Sequence, residues 1–219
     1  MDTEEKKGWA LFPGSFDPFH TGHLHVLTTA LERYEHVTVL VGRNDAKEGM
    51  MSYDNRKAYI MKSVENLGDR VDVVVYEGFI AEWLASQSRT YEAIVKGYRN
   101  DIDLHYEERQ EEVNRFLSRE LDGERYPKGI PTYYVNTGLT PKRIVSSSLI
   151  RDIIYRMTDG GEPRLWDVLA QMLPIPTQIK VFVNRGTRER NFRMSIGKVE
   201  FEGYTTGNIE AKTHFYVNQ

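Results

Sequence analysis

Five short apolar runs, each followed by a stretch of helical periodicity, occupy the first 175 residues of this chain. That alternation constrains the fold more than any other feature. The runs are "WALF" (9–12), "HVTVLVG" (36–42), "VDVVVY" (71–76), "EAIVKG" (92–97) and "PTYYVN" (131–136). Between and after them, residues 22–34, 53–68, 79–87, 101–121, 146–157 and 163–173 place apolar side chains at helical spacing. Strands that alternate with helices predict βαβ units, and so a parallel sheet covered on both faces. The expected architecture is α/β, a Rossmann-like doubly wound five-stranded parallel sheet.

The pattern changes after "LPIPTQ". "IKVFV", "FRMSIGKVEFEGY" and "AKTHFYV" are rich in β-branched and aromatic residues and carry little helical signal. Residues 176–219 hold seven Lys/Arg against four Glu, a net +3 in a chain whose total is −3. Both changes predict a boundary, with a domain over 1–175 and a small β-rich extension over 176–219. Two to four antiparallel strands are expected there, at the main sheet's edge, on a neighbouring subunit or as a separate layer. The arginine-rich stretch "RGTRERNFR" (185–193) reads as a solvated hairpin, so no nucleic-acid partner is expected.

Composition excludes several function classes. With 40% hydrophobic and 28% charged residues the chain suits a soluble globular protein. No apolar run reaches the roughly 20 residues that span a bilayer, so no membrane partner is expected. The opening "MDTEEKKGWALF" lacks the apolar centre of a secretory signal. The absence of cysteine rules out disulfides, thiolate metal sites and a cysteine nucleophile, and it fits a cytoplasmic setting.

The candidate chemistry starts at "FPGSFDPFHTGHLHVL" (12–27), between the first strand and its helix. In open parallel sheets ligands bind beyond the carboxyl ends of the strands, where this loop falls. Gly14 permits close backbone approach, and Pro13 and Pro18 stiffen the turn. His20 and His23, three apart at the helix start, can face one side. A helix N-terminus offers unpaired N–H groups to an anion, and imidazoles there suit phosphate that gains charge during reaction. A single histidine would read as a cap or a packed ring; the combination points to phosphate chemistry.

Two further constellations carry the same signal. Lys96-Gly97-Tyr98-Arg99 ends the fourth strand, and two cations around a glycine suit a triphosphate. On the helix that follows, Arg99, Asp103 and Glu107 form one row, continued by Gln110 and Asn114. Ile102, Tyr106, Val113, Leu117 and Leu121 make the apolar side. In "VSSSLIRD" (145–152) one serine suffices as a cap, and three offer hydroxyls to phosphate. Leu149, Ile150, Ile153 and Ile154 supply that helix's apolar face.

Together these motifs resemble the H-x-G-H nucleotidyltransferase superfamily, and up to about residue 175 the phosphopantetheine adenylyltransferase family. "KGYRNDIDLHYEERQEEVNR" is similar to that family's R-G-x-R…D-x-x-Y-E…N-R pattern, and "VSSSLIRD" to its I-S-S-[ST] segment. The resemblance implies transfer of AMP from ATP to 4′-phosphopantetheine, releasing pyrophosphate. It implies His23, Lys47 and Arg99 as catalytic residues. It puts Gly14, Ser15, Phe16, His20, His23, Gly97, Tyr98, Arg99, Glu107 and Val145, Ser146, Ser147 and Ser148 on ATP. The acceptor would meet Ser15, Lys47, Phe79, Ile80 and Lys96, with Met50 and Met51 at its border; Arg151 stands near the nucleotide.

No dedicated metal cage is expected, so Mg²⁺ would arrive with ATP. A homo-oligomer, a hexamer in that family, is the expected assembly. Two departures touch the acceptor. Lys96 replaces an arginine and His20 a threonine, and the H-x-G-H form also suits transferases acting on nicotinamide mononucleotide or glycerol phosphate. From a different class, a non-catalytic nucleotide-binding regulator with a nucleic-acid-contacting tail is the remaining alternative.

Overall fold

The computed structural model describes residues 7–43, 50–138, 145–158 and 164–175, and strands within the last 42 residues. It divides into two compact units. One comprises Met1–Ser15, His23–Arg43 and Val64–Ile144; the other comprises Phe16–Gly22, Asn44–Ser63 and Val145–Gln219.

The first unit contains a five-stranded parallel sheet. Its strands are β1 (Lys7–Gly14), β2 (Tyr34–Arg43), β3 (Val71–Glu77), β4 (Tyr91–Tyr98) and β5 (Thr132–Asn136), in the order β3-β2-β1-β4-β5. Phe12 stands opposite Val39, Leu11 opposite Ile94 and Gly97 opposite Val135. The central strands bury unbroken runs: Ala10, Leu11 and Phe12, then Val39, Leu40 and Val41, then Ala93, Ile94 and Val95. Strands covered on both faces read as continuous hydrophobic runs, whereas β3, at the edge, is half-buried throughout most of its length.

Helices α1 (Thr21–Arg33), α3 (Ile80–Ser86) and α4 (Asp101–Asp122) accompany this sheet. Leu84 of α3 joins Leu11, Leu40, Tyr91, Ile94, Tyr126 and Ile130 in one buried cluster. Asn100 caps α4 by accepting the Asp103 N–H at 2.9 Å.

The apolar side of α4 faces outward in the structure. Ile102 is 81% exposed, and Tyr106, Val113, Phe116 and Leu121 are exposed too. The polar row turns inward instead: Lys96 pairs with Glu107 at 2.9 Å, the Tyr134 hydroxyl donates to Glu111 at 2.7 Å, and buried Ser118 accepts the Ile130 N–H at 2.9 Å. Strands β4 and β5 present polar groups on this side, so the helix meets them with matching partners.

The second unit holds α2 (Tyr53–Ser63), α5 (Ser147–Thr158), α6 (Leu165–Met172) and a four-stranded antiparallel sheet. Its strands are β6 (Gln178–Val183), β7 (Arg190–Ile196), β8 (Val199–Thr205) and β9 (Thr213–Val217), in chain order. Of the three arrangements open to the extension, the structure adopts a sheet of its own. The helix expected over 53–68 stops earlier. The α-helix ends at Ser63 and a 3₁₀ segment, Glu65–Arg70, leads into β3, with Gly68 at φ 63 making the turn. In α5, Ile150, Ile153 and Ile154 are buried, as the pattern requires.

Candidate active site

Strand order gives the sheet a switch point. The chain runs outward from β1 through β2 to β3, then returns to the other side of β1 for β4 and β5. The reversal falls between β1 and β4, and ligands of open α/β sheets bind at such a switch point. Gly14 closes β1 there and Ser15 follows it, while Lys96, Gly97 and Tyr98 close β4.

Helix α1 brings His23 to the same sheet end. It packs on β4 at Gly97, where an added Cβ would lie 2.6 Å from Val26 Cγ2. Any side chain at residue 97 would push the helix away. His23, one turn before Val26, is half-buried and stands edge-on to Phe12, with ring centroids 6.3 Å apart. The glycine between the two cations therefore sets how near α1 and its histidine approach β4.

Both cations of this turn already hold carboxylates. Lys96 pairs with Glu107, as above, and Arg99 grips Asp103 through Nε at 2.7 Å and Nη2 at 3.2 Å. A row of acids on α4 thus orients the bases of β4. Tyr134, beside them, lies above the ordinary tyrosine range, because burial and its bond to Glu111 both favour the protonated hydroxyl. Phe79 is exposed, and Ile80 packs against the buried cluster.

The second unit contains the remaining predicted residues, apart from Lys47, which falls outside the described residues. His20 is buried and its ring covers Gly22, whose added Cβ would come within 3.0 Å of it. The Phe16 side chain is also buried, beside Phe19, at a backbone φ of 48. Phe16 can thus offer a ligand its backbone more readily than its ring.

The three serines at the start of α5 have divided tasks. Ser146 caps the helix by accepting the Leu149 N–H at 3.1 Å. Ser147 donates to the Pro18 carbonyl at 3.0 Å, and Ser148 accepts from Arg151 Nη2 at 3.1 Å. Arg151 Nη1 also donates to the Asp17 carbonyl at 2.5 Å. The histidine loop and the serine turn, well over a hundred residues apart in the chain, are thereby tied together within this unit.

Sequence reasoning passed over three residues here. Asp17 and Arg56 are 4% and 5% exposed and form an ion pair, with Arg56 Nε 3.5 Å from Asp17 Oδ1. Thr21 buries its hydroxyl at the start of α1 with no hydrogen-bond partner among the described residues. A charged residue between two phenylalanines and a proline was the available signal for Asp17; Arg56 and Thr21 gave none beyond helix composition. Among the described residues no three His, Asp or Glu side chains gather into a metal cage, and no helix is long and apolar enough to cross a membrane.

Residues 11–153 match the family model described as cytidylyltransferase-like. The chain is 34% identical over 157 residues to a phosphopantetheine adenylyltransferase of Levilactobacillus brevis, covering 68% of this chain and 96% of that one. It is 29% identical to the same enzyme of Flavobacterium johnsoniae, covering 70% and 90% of the two chains. Among solved structures it is similar to a bifunctional NMN adenylyltransferase/ADP ribose pyrophosphatase of Francisella tularensis. That likeness has a TM-score of 0.48 at 17% identity, covering 77% of this chain and 44% of that one. The family-model match covers more than half of the chain and the first of these relatives is more than 30% identical: this chain belongs to the cytidylyltransferase-like family, among the phosphopantetheine adenylyltransferases.

Proposed function

We propose that this nucleotidyltransferase moves AMP from ATP to 4′-phosphopantetheine, giving dephospho-CoA and pyrophosphate. The observation that carries the reading is the meeting of the β1 end, His23 and the Lys96–Arg99 turn at the sheet's switch point.

An oxygen of the acceptor's phosphate attacks the α-phosphorus of ATP. The new P–O bond forms as the bond to the β-phosphate bridging oxygen breaks, and that electron pair leaves with pyrophosphate. A phosphate monoester dianion needs no base, so the protein's work is positioning and charge stabilisation. His23 donates toward the α-phosphate as charge builds there. Ser15, Lys47 and Lys96 orient the acceptor phosphate, with Phe79 and Ile80 along its organic arm. Arg99 takes the departing phosphates; on binding, Lys96 and Arg99 exchange carboxylate partners for phosphate. Gly14, Phe16, His20, Gly97, Tyr98, Glu107 and Val145 to Ser148 serve the nucleotide. Mg²⁺ would come as part of the ATP substrate and offset the charge of its phosphates; among the described residues no cluster of His, Asp or Glu would hold it separately.

The chain works in the cytoplasm as a homo-oligomer. Support for self-association is the uncovered row Ile102, Tyr106, Val113 and Phe116 on α4, with acids and bases interspersed beside it, which a second copy would cover.

The test is pyrophosphate release from ATP and Mg²⁺ with phosphopantetheine, nicotinamide mononucleotide and glycerol phosphate offered in parallel. Turnover with the first alone is expected; turnover with either of the others alone would move the acceptor. His23→Ala should lose about 10²–10³ in rate, roughly 2.7–4 kcal/mol of transition-state stabilisation, with unfolding unchanged. Near-normal turnover in that variant would remove His23 from the chemistry.

A further inference from the structure

Asp17 stands in the middle of the histidine loop and is itself turned away from solvent. Its carboxylate spends both oxygens on consecutive backbone amides: Oδ2 accepts the Met50 N–H at 2.6 Å and Oδ1 the Met51 N–H at 2.8 Å. Arg56, buried beside it, donates through Nε to the Met51 carbonyl at 2.9 Å. Met51 is therefore held at its N–H by the acid and at its C=O by the base, and Arg56 balances the buried charge. Charge-assisted bonds to a buried carboxylate are short and strong, and removing one partner leaves the others unsatisfied. The Asp17 main-chain carbonyl is separately engaged by Arg151.

Side-chain and main-chain ties of this one residue thus run to different elements. The carboxylate fixes the backbone at Met50 and Met51, which the family resemblance sets at the acceptor's border. The carbonyl fixes the helix that begins with the nucleotide's serines. A carboxylate is the one side chain that accepts two amide hydrogens at once while donating none.

We propose that Asp17 is a positioning residue for the acceptor, acting through its double hold on the Met50–Met51 backbone. The inference rests on the transferase reading above. Asp17→Asn keeps the carbonyl tie to Arg151 and the side chain's size, but turns one acceptor into a donor that faces an amide hydrogen. The acceptor KM should then rise at least about ten-fold, with the KM for ATP moving less than about three-fold. In parallel, amide hydrogen exchange at Met50 and Met51 should accelerate while the central strands stay protected.

KM values are taken with whichever acceptor the wild-type chain turns over. A wrong acceptor then shows in the wild type, whereas a wrong inference shows in the variant's ratio. Equal rises in both KM values, or an unchanged acceptor KM with faster exchange at residues 50–51, would overturn the proposal. Should Asp17→Asn fail to fold, Arg56→Lys loosens the same carbonyl while keeping the buried positive charge. An acceptor-selective KM rise in that variant supports the proposal, and none overturns it.

Discussion

Helices α4 and α5 carry the same kind of signal and use it in opposite ways. Each has apolar residues at helical spacing along one side and a polar row along the other. In α5 the isoleucines enter the core of their unit, with Ile150 fully buried. In α4 the apolar row faces outward and the polar row meets polar partners on β4 and β5. Periodicity reports that a helix has two different sides. Which side is covered depends on what the neighbouring elements present. The isoleucines of α5 are removed from water, and a row of Asp and Glu on α4 meets Lys96, Arg99 and Tyr134.

Three substitutions sharpen this contrast, from the largest effect to the smallest. Ile150→Ala in α5 should destabilise the fold by about 2–5 kcal/mol, because a buried isoleucine leaves a cavity that the surroundings fill only partly. A urea unfolding curve measures it, and a loss well under one kcal/mol would mean that α5 is not anchored by this face.

Tyr134→Phe, under the polar row of α4, should cost about 1 kcal/mol by removing the hydroxyl that Glu111 accepts. Its pH dependence is the sharper readout. The folded state raises the Tyr134 pKa, so the folded chain holds that proton after the unfolded chain has lost it. The contribution is present in full below about pH 10 and fades as pH rises beyond it. Wild-type urea midpoints should fall more steeply than those of Tyr134→Phe over that alkaline range. Parallel slopes would detach Tyr134 from the effect and leave it to Tyr34, Tyr76, Tyr91 and Tyr126, whose pKa values burial also raises.

Ile102→Ser on the open side of α4 should change monomer stability by no more than about 0.5 kcal/mol. Its readout is self-association, followed by sedimentation against concentration. A smaller particle with an unchanged fold would bear out the second-copy reading of the α4 row; a strongly destabilised chain would show that the row is buried after all.

The five strands of the main sheet were legible as apolar runs, because the central strands, covered on both faces, bury unbroken apolar stretches. Their helices were legible too, and so was the extension's strand character. The arrangement of β6 to β9 as a separate sheet was not, since hairpin pairing depends on partners that local pattern does not name. The end of α2 at Ser63 was missed because Glu65 to Gly68 is equally compatible with a 3₁₀ turn.

The candidate site divides along the same line. His23, Gly97 and Arg99 were proposed from their residue types beside the ends of β1 and β4, where loop chemistry is local. Asp17 and Arg56 were passed over because their value lies in partners distant in the chain. Sequence by itself determined the alternation of strands and helices and the phosphate-seeking groups at the strand ends, since backbone periodicity and side-chain charge are local properties. Only the tertiary structure decided which face of α4 is covered, what each serine of α5 bonds, and that one buried carboxylate holds two backbone amides, because burial and hydrogen-bond partnership exist only once distant residues share a neighbourhood.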